Sequence, residues 1–394
     1  MIPLRRGWTT GACAAAAARA AYQALLTGDF PDPVTLDLPG GRPAFALART
    51  HLTDKAATAS IIKDAGDDPD VTHGAEVVCT VTLDPEAHAD SLADSLAGSL
   101  TSDSPDERRV LFRAGDGVGT VTKPGLALAV GEPAINPAPR AMIRAALGQV
   151  QADLAPPQAT IIVTISIPGG EALAQKTWNE GLGIKGGLSI LGTTGVVIPY
   201  SCSAWIHSIH RGIDVARAAG SQEILAATGK TSLTTGCRLA PQAVPIEMGD
   251  FAGGLLKYLR RHPIPRLIVC GGFGKISKLA AGFLDLHSAR SQVDRDYLAR
   301  LCPAPLAAAV REATSAGHAL TLAQAHGFDL AGLVAADAQQ RAAGVMDHTG
   351  AVAVWIIDRQ GQRIAVADPG KSAESPADSC VDSPVDSCAD SCAP

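Results

Sequence analysis

The sequence is poor in aromatic side chains and has no long apolar run. Phe, Trp and Tyr make up 4% of the residues, so we expect a core packed mainly with Ala, Val, Leu and Ile. No apolar segment approaches the roughly 18 residues that span a bilayer. The first residues also lack the apolar stretch that follows the basic residues of a signal peptide. These absences predict a cytoplasmic protein with no membrane partner.

The sequence also lacks a surplus of positive charge and any Cys-x-x-Cys pair. Its 33 Lys and Arg against 39 Asp and Glu give a net charge of −6, which argues against a general nucleic-acid binder. The nine cysteines are an odd number, and six of them are far apart. We therefore expect free thiols rather than a disulfide scaffold or a zinc site, and no protein-bound metal.

The length of 394 residues and a change of pattern near Val196 predict two domains. Residues 1–195 contain short runs of alternating apolar and polar residues, which favour a half-covered sheet. Residues 196–368 alternate helix and strand patterns, which predict a parallel sheet with helices on both faces. Repeated Ala-Asp-Ser-Leu segments in 85–109 indicate a low-complexity insert, and Asp-Ser-Cys repeats in 369–394 predict a disordered tail.

A glycine turn after an apolar run in the second domain is typical of a nucleotide-type binding site. Gly271, Gly272 and Gly274 allow close approach of the backbone to a ligand, and the following helix would direct its first amides, with Lys275, toward that ligand. The turn departs from the dinucleotide fingerprint, because Ser277 replaces the third glycine and no acid ends a second strand about 20 residues later. An ordinary strand-to-helix turn is the alternative.

Two further segments are expected at the same edge of a parallel sheet. A strand predicted at residues 223–227 ends in Thr228 and Gly229. Ligands bind outside the carboxyl ends of such strands, so these residues and the Gly271 turn would line one edge. His287 follows the next helix and could return there, although a single His is more often structural than catalytic.

Three glycine-rich segments of the first domain are candidate ligand loops. The first, Thr9-Thr10-Gly11, precedes an alanine helix at 14–26 and would leave amides open to an anion. The second spans residues 113–126, and the third spans residues 176–195. A capped core helix, a tight hairpin and purely structural turns are the respective alternatives.

Taken together, these segments resemble the cobalt-precorrin-5B C1-methyltransferase family of anaerobic cobalamin biosynthesis. The similarity runs through most of residues 5–368. It depends on several motifs in order: Thr9-Thr10-Gly11, Asp116-Gly-Val-Gly-Thr120 with Thr122-Lys123-Pro-Gly-Leu, Gly131-Glu-Pro-Ala-Ile-Asn136-Pro, Gly186-Gly-Leu-Ser-Ile-Leu-Gly-Thr-Thr-Gly195, Gly274-Lys275 with Lys278-Leu-Ala-Ala-Gly282, and His287-Ser288.

The resemblance implies methylation of C1 of cobalt-precorrin-5B by S-adenosylmethionine, giving cobalt-precorrin-6A. It also implies an α+β first domain, which would bind the corrinoid, and a Rossmann-like α/β/α second domain, which would bind S-adenosylmethionine, with cobalt present only as part of the substrate. The predicted cofactor residues are Thr228, Gly229, Gly271, Gly272, Gly274 and Lys275. The predicted substrate residues are Arg6, Thr9, Thr10, Gly11, Thr120, Thr122, Lys123, Arg140, Lys176, Asn179, Ser189, Thr193 and Thr194. Asp116 and His287 are candidates for proton handling or for orienting the ring.

The chain departs from the family pattern at a few positions. Arginine is common in the family at the Gly181 and Ile198 positions, and acids are common at Cys202 and Ser203. If those groups contact substrate carboxylates, this chain would use others, such as Lys176 or Lys185.

Two other functions stay open at this point, a nicotinamide-dependent reductase of an acidic metabolite and a non-enzymatic tetrapyrrole carrier. Homo-oligomer formation and transient handover of the corrinoid to neighbouring pathway enzymes also stay open.

Overall fold

A computed structural model of the chain describes residues 4–84, 110–156 and 159–369. The chain divides into two compact units, the first ending at Ser201 and the second beginning at Cys202. The predicted insert at 85–109 and the tail beyond residue 369 lie outside the described residues. Among the helices described, none combines the length and the apolar character that a membrane crossing requires.

The first unit contains one five-stranded sheet and several two-stranded pairs. The strands described in this unit are β1 (Gly7–Trp8), β2 (Val34–Thr35), β3 (Ala44–Phe45), β4 (Arg49–Leu52), β5 (Ala56–Ile62), β6 (Glu76–Asp84), β7 (Val110–Ala114), β8 (Thr120–Val121), β9 (Thr160–Ser166), β10 (Ile184–Lys185) and β11 (Val196–Val197). Its helices are α1 (Thr10–Thr27), α2 (Pro137–Leu154) and α3 (Gly170–Ala174). The sheet order is β4-β5-β6-β9-β7. Its pairs are antiparallel except β7 with β9, a parallel pair whose connection contains α2.

Helix α1 is the core element of this unit, and the prediction of an alanine helix here is confirmed. The Thr9 hydroxyl caps its first turn by accepting from the Ala12 amide at 3.2 Å, and Gly28 ends it with a φ of 87°. Most of its residues are buried, because it packs against both α2 and the β5–β6 face of the sheet. Alanine allows that close approach on two sides.

The second unit alternates strands and helices. Its strands are β12 (Glu223–Ala227), β13 (Val244–Glu247), β14 (Arg266–Gly272), β15 (Ala351–Ile357) and β16 (Arg363–Ala367). Its helices are α4 (Cys202–Ala218), α5 (Lys230–Leu239), α6 (Ala252–Arg261), α7 (Phe273–Ala280), α8 (Arg295–Arg300), α9 (Ala304–Arg311), α10 (Ala316–Ala325) and α11 (Leu330–Val345). The sheet order is β13-β12-β14-β15-β16, parallel except for β16.

Buried side chains cover both faces of this second sheet. One cluster joins the sheet to α4, α6, α7 and α11, and includes Leu255 and Leu256. A separate cluster on the other face joins it to α5 through Leu233 and Cys237. The parallel strands are therefore buried on both sides, as their continuous apolar sequences require.

The cysteines of the described residues are free thiols, as the sequence predicted. Four of them are buried, namely Cys13, Cys79, Cys237 and Cys270, and Cys202 and Cys302 are half-buried. Burial raises the pKa of Cys13 and of Cys270 to about 12. Cys13 and Cys270 are consequently protonated and unreactive at neutral pH.

Candidate functional site

The carboxyl edge of the second sheet contains a topological switch point. Strand β12 lies between β13 and β14, so the chain passes from β12 to one neighbour and then crosses over to the other. Ligands bind in the crevice at such a point, outside the strand ends. Thr228 and Gly229 follow β12, and Gly271 and Gly272 end β14. The predicted cofactor residues of these two strands therefore meet at this edge.

The glycines at this edge have two different structural roles. A Cβ atom added to Gly229 or to Gly272 would meet no heavy atom within 4 Å. A Cβ on Gly271 would lie 2.7 Å from Oγ1 of the buried Thr228, and one on Gly274 would make an ordinary contact of 3.6 Å with Ala316. Gly271 therefore permits packing against Thr228, whereas Gly229 and Gly272 border open space.

Lys275, predicted to contact the cofactor, has partners within the chain. Its Nζ donates to the Thr228 carbonyl oxygen at 2.6 Å and lies 3.0 Å from Oδ1 of Asp250. Asp250 follows β13, so this lysine connects the ends of β12 and β13 to the start of α7. Its ammonium therefore serves to order the edge, and direct contact of Lys275 with a cofactor stays a prediction.

Strand β13 and helix α5 were missed by the sequence analysis, and with them Glu247. This residue is the last of β13 and pairs in register with Ala227 of β12. It lies 18 positions after Gly229 (247 − 229), the spacing at which an acid ends the second strand of a dinucleotide-binding unit. Counted from Gly272, the same spacing leads past β14 and does not reach Glu247. The lack of an acid about 20 residues after Gly272 therefore does not exclude nicotinamide chemistry, and NADPH binding has to be tested directly.

His287 is exposed in the loop that follows α7, beside the same edge. The neighbouring Leu286 donates its amide to the Asp250 carbonyl oxygen at 2.8 Å, and the buried Lys278 donates its Nζ to the Leu286 carbonyl oxygen at 2.9 Å. The His287 ring accepts from the Ala289 amide through Nδ1 at 3.2 Å. Because Nδ1 accepts, the hydrogen of the neutral ring is on Nε2, so the ring offers a donor at Nε2 while its lone pair is engaged.

The three glycine-rich segments of the first unit come together in one loop cluster, defined here as residues 9–11, 115–123 and 179–195. Strand β8 of the second segment pairs with β10 of the third. The Leu191 carbonyl oxygen accepts from the Gly11 amide at 3.0 Å, and the Thr9 amide donates to the Gly195 carbonyl oxygen at 3.0 Å. These contacts attach the third segment to the start of α1.

The same contacts correct one expectation about that start. The amides of Gly11 and Ala12 are not open to an anion, because Leu191 and Thr9 accept from them. The hydroxyl of Thr10 also bonds to the Leu191 backbone at 3.1 Å, and Thr9 and Thr10 are buried. We therefore leave Thr9, Thr10 and Gly11 out of the proposed substrate contacts.

The β8–β10 ladder presents polar groups outward. Thr120 and Thr122 alternate with the buried Val121, and Lys185 follows the buried Ile184. Thr122 also donates its hydroxyl to the Gly183 carbonyl oxygen at 2.8 Å. The side chain of Lys123 covers Gly183, where an added Cβ would lie 2.5 Å from it.

Three exposed lysines, Lys123, Lys176 and Lys185, lie in or beside the loop cluster. None of them forms an ion pair with any of the described residues. Arg6, Thr193 and Thr194 are exposed as well, and so is Asp116, whose carbonyl oxygen accepts from the Ile167 amide at 2.7 Å. The surface of this cluster thus carries cationic groups that are available to an anionic ligand.

Asn179, Ser189 and Arg140 hold parts of the first unit in place. Asn179 is buried and donates to the Gly187 carbonyl oxygen at 3.3 Å, and the Ser189 hydroxyl donates to Oδ1 of Asn179 at 3.4 Å. Arg140 donates to the Ile135 carbonyl oxygen at 2.8 Å and pairs with Glu132 at 3.4 Å. Burial lowers the pKa of Arg140, although Glu132 opposes the shift. We leave these three residues out of the proposed contacts.

Two family models match the chain, and together they cover most of it. The model described as CbiD matches residues 2–199, and the model described as CbiD, C-terminal domain, matches residues 285–368. The chain belongs to the CbiD family. This finding confirms the resemblance that the motifs of the loop cluster and of the Gly274 turn indicated.

Relatives within the CbiD family are similar over nearly their whole length. A protein of Brucella anthropi is 51% identical over 371 residues, which are 92% of this chain and 95% of the relative. Proteins of Brucella canis and Brucella suis are 50% identical with the same coverage, and all three are named cobalt-precorrin-5B C(1)-methyltransferase. The crystal structure of a CbiD protein from Archaeoglobus fulgidus aligns over 82% of this chain and 85% of that one, with 23% identity and a TM-score of 0.35.

Proposed function

We propose that this chain transfers a methyl group from S-adenosylmethionine to C1 of cobalt-precorrin-5B, giving cobalt-precorrin-6A in cobalamin biosynthesis. The observation that carries this proposal is about 50% identity to relatives of that name over 92% of the chain. Identity of this extent covers both units, so the proposal concerns the whole enzyme rather than one domain.

The second unit is proposed as a Rossmann-like domain that binds S-adenosylmethionine at the switch point. The open sides of Gly229 and Gly272 leave room for a ligand outside the carboxyl ends of β12 and β14. Helices α5 and α7 begin directly after these glycines, and helix amides at such a start favour a carboxylate. When bound there, S-adenosylmethionine supplies an electrophilic methyl group on a sulfonium. The residues present thus fit a ligand of this shape and charge.

The loop cluster of the first unit is proposed to bind the corrinoid. The substrate is a polycarboxylate, and the three exposed lysines offer charge-assisted hydrogen bonds to it. Thr120 and Thr122 add hydroxyl groups on the same ladder. Cobalt belongs to the substrate in this proposal.

Chemically, the protein has mainly to align a carbon nucleophile with the methyl group. Methyl transfer forms one C–C bond and breaks one C–S bond, and such alignment contributes several kcal/mol, up to roughly 7–11, to lowering the barrier. Asp116 is proposed to take up a proton or to orient the ring, and His287 is proposed to orient the ring or to donate from Nε2. Each is exposed within its own unit.

The decisive experiment incubates the purified protein with cobalt-precorrin-5B and methyl-labelled S-adenosylmethionine, followed by mass spectrometry of the corrinoid. We expect one labelled methyl group at C1. Unlabelled corrinoid that stays bound would support the carrier instead, and tight binding of NADPH without binding of S-adenosylmethionine would support the reductase. A protein that binds neither S-adenosylmethionine nor the corrinoid would contradict the proposal.

A further inference from the structure

The carboxyl edge of the second sheet contains an acidic side chain that has no protein partner. Glu247 is half-buried at the end of β13. Its carboxylate forms no ion pair or hydrogen bond with any of the residues described. The other acid at this edge, Asp250, is engaged by Lys275 at 3.0 Å. Its oxygens are reached by solvent and engaged by no protein group, so they are available to the hydrogen-bond donors of a ligand.

The position of Glu247 places it beside the proposed cofactor site. It pairs in register with Ala227, two residues before Gly229, whose open side borders the switch point. Glu247 and Ala227 share one face of the sheet, the face against which α5 packs, because Val244 and Ile246 belong to the cluster on the other face. The carboxylate thus lies at the strand end on the side where α5 begins.

An exposed tryptophan borders the same strand end. The Trp205 indole donates Nε1–H to the Glu247 carbonyl oxygen at 3.2 Å, and its side chain is 43% exposed. A Cβ added to Gly249 would lie 3.5 Å from the indole, and the Phe251 ring centroid is 6.5 Å from that of Trp205. Trp205 belongs to α4, which packs on the face of the sheet opposite to α5, so the indole contacts the backbone of this strand end and leaves the carboxylate face open.

We infer that Glu247 accepts hydrogen bonds from the ribose hydroxyls of the adenosyl group. The two oxygens of a carboxylate match the two donors of a vicinal diol. In a strand-helix-strand unit whose ligand lies at the carboxyl edge, the end of the second strand is where the ribose passes. The same carboxylate repels a 2′-phosphate, so the site selects unphosphorylated adenosine. This inference depends on the proposed function.

The role of Glu247 can be tested by binding measurements with ligands that lack one ribose hydroxyl, and no turnover is needed. S-adenosylhomocysteine and its 2′-deoxy and 3′-deoxy analogues are titrated calorimetrically into the wild type, Glu247→Ala and Glu247→Gln. Glu312→Gln is the matched control, since Glu312 is an exposed acid of the same unit. Circular dichroism and thermal unfolding verify that each variant folds.

We expect removal of a hydroxyl to weaken binding to the wild type and to Glu312→Gln by about tenfold or more. Glu247→Ala should bind the intact ligand about as weakly as the wild type binds the deoxy analogues, and should no longer distinguish the three ligands. Equal discrimination by Glu247→Ala and the wild type would overturn the inference and leave the proposed function intact. Failure of the wild type to bind S-adenosylmethionine or S-adenosylhomocysteine would overturn both.

Discussion

At the scale of single residues, the buried ion pair of the first unit is the clearest case of a side chain whose role the sequence conceals. Lys63 is 1% exposed, and its Nζ lies 2.5 Å from Oδ2 of Asp70. Nothing in the sequence around Lys63 marks it as buried, and the loop that brings Asp70 back to it has no local signature. Long-range charge pairing of this kind depends on tertiary structure and is invisible to pattern analysis.

Breaking this pair should destabilise the protein strongly. In Asp70→Asn the Lys63 ammonium loses its countercharge while it stays buried, so we expect the free energy of unfolding at pH 7 to fall by about 3–5 kcal/mol. Asp37→Asn is the control, because Asp37 and Arg42 form an exposed pair, and it should change that free energy by less than about 1 kcal/mol. Urea unfolding measures both, and equal effects would contradict the argument.

The effect of Asp70 should also depend on pH with a defined sign. Burial alone would raise the pKa of Asp70, but the Lys63 charge and the hydrogen bonds from Lys63 and Thr72 outweigh burial and lower it. A lowered folded-state pKa contributes stability above the unfolded value near 3.9, and that contribution is lost as the pH falls through the folded value. The difference in stability between the wild type and Asp70→Asn should therefore shrink below about pH 4.

At the scale of elements, the sequence pattern was informative where the period was clear. The strand at 223–227 and the helix after the Gly271 turn were predicted and are confirmed. Strand β13 was missed because it has four residues, one of them Pro245. Helix α5 was missed because its threonines, serine and glycine give it a weak helical pattern. Both elements form in the structure because they pack beside β12.

The two adjacent glycines at the end of β14 give a matched test of the proposed cofactor site. Gly271→Ala should destabilise the fold by about 1–3 kcal/mol, since its Cβ would press on the buried Thr228. Gly272→Val should leave stability nearly unchanged, because Gly272 has a φ of −71° and open space at its Cβ. It should nevertheless weaken S-adenosylhomocysteine binding, because the valine would occupy that space. Unfolding curves and calorimetry separate the two effects, and unchanged binding by Gly272→Val would place the cofactor elsewhere.

At the scale of the whole molecule, the net charge of −6 conceals a local cationic surface. Composition excludes a general polyanion binder, whereas the structure gathers exposed lysines at the loop cluster. The motifs of this cluster were visible in the sequence, but their contacts were not, because β8, β10 and the start of α1 are far apart along the chain. Which polar residues hold the loops and which face outward could be decided only from burial and hydrogen bonds.

Binding of the two substrates by separate units predicts that each site can be disabled alone. Replacing Lys123, Lys176 and Lys185 by Gln should weaken corrinoid binding about tenfold or more while S-adenosylhomocysteine binding stays unchanged, and Gly272→Val should do the reverse. The lysine effect should diminish at high salt, because exposed charges are screened. Lys55→Gln with Lys257→Gln, which removes exposed lysines outside both sites, should change neither affinity. Parallel titrations of both ligands into each variant measure this, and a lysine variant that loses both ligands equally would show that the two sites are not independent.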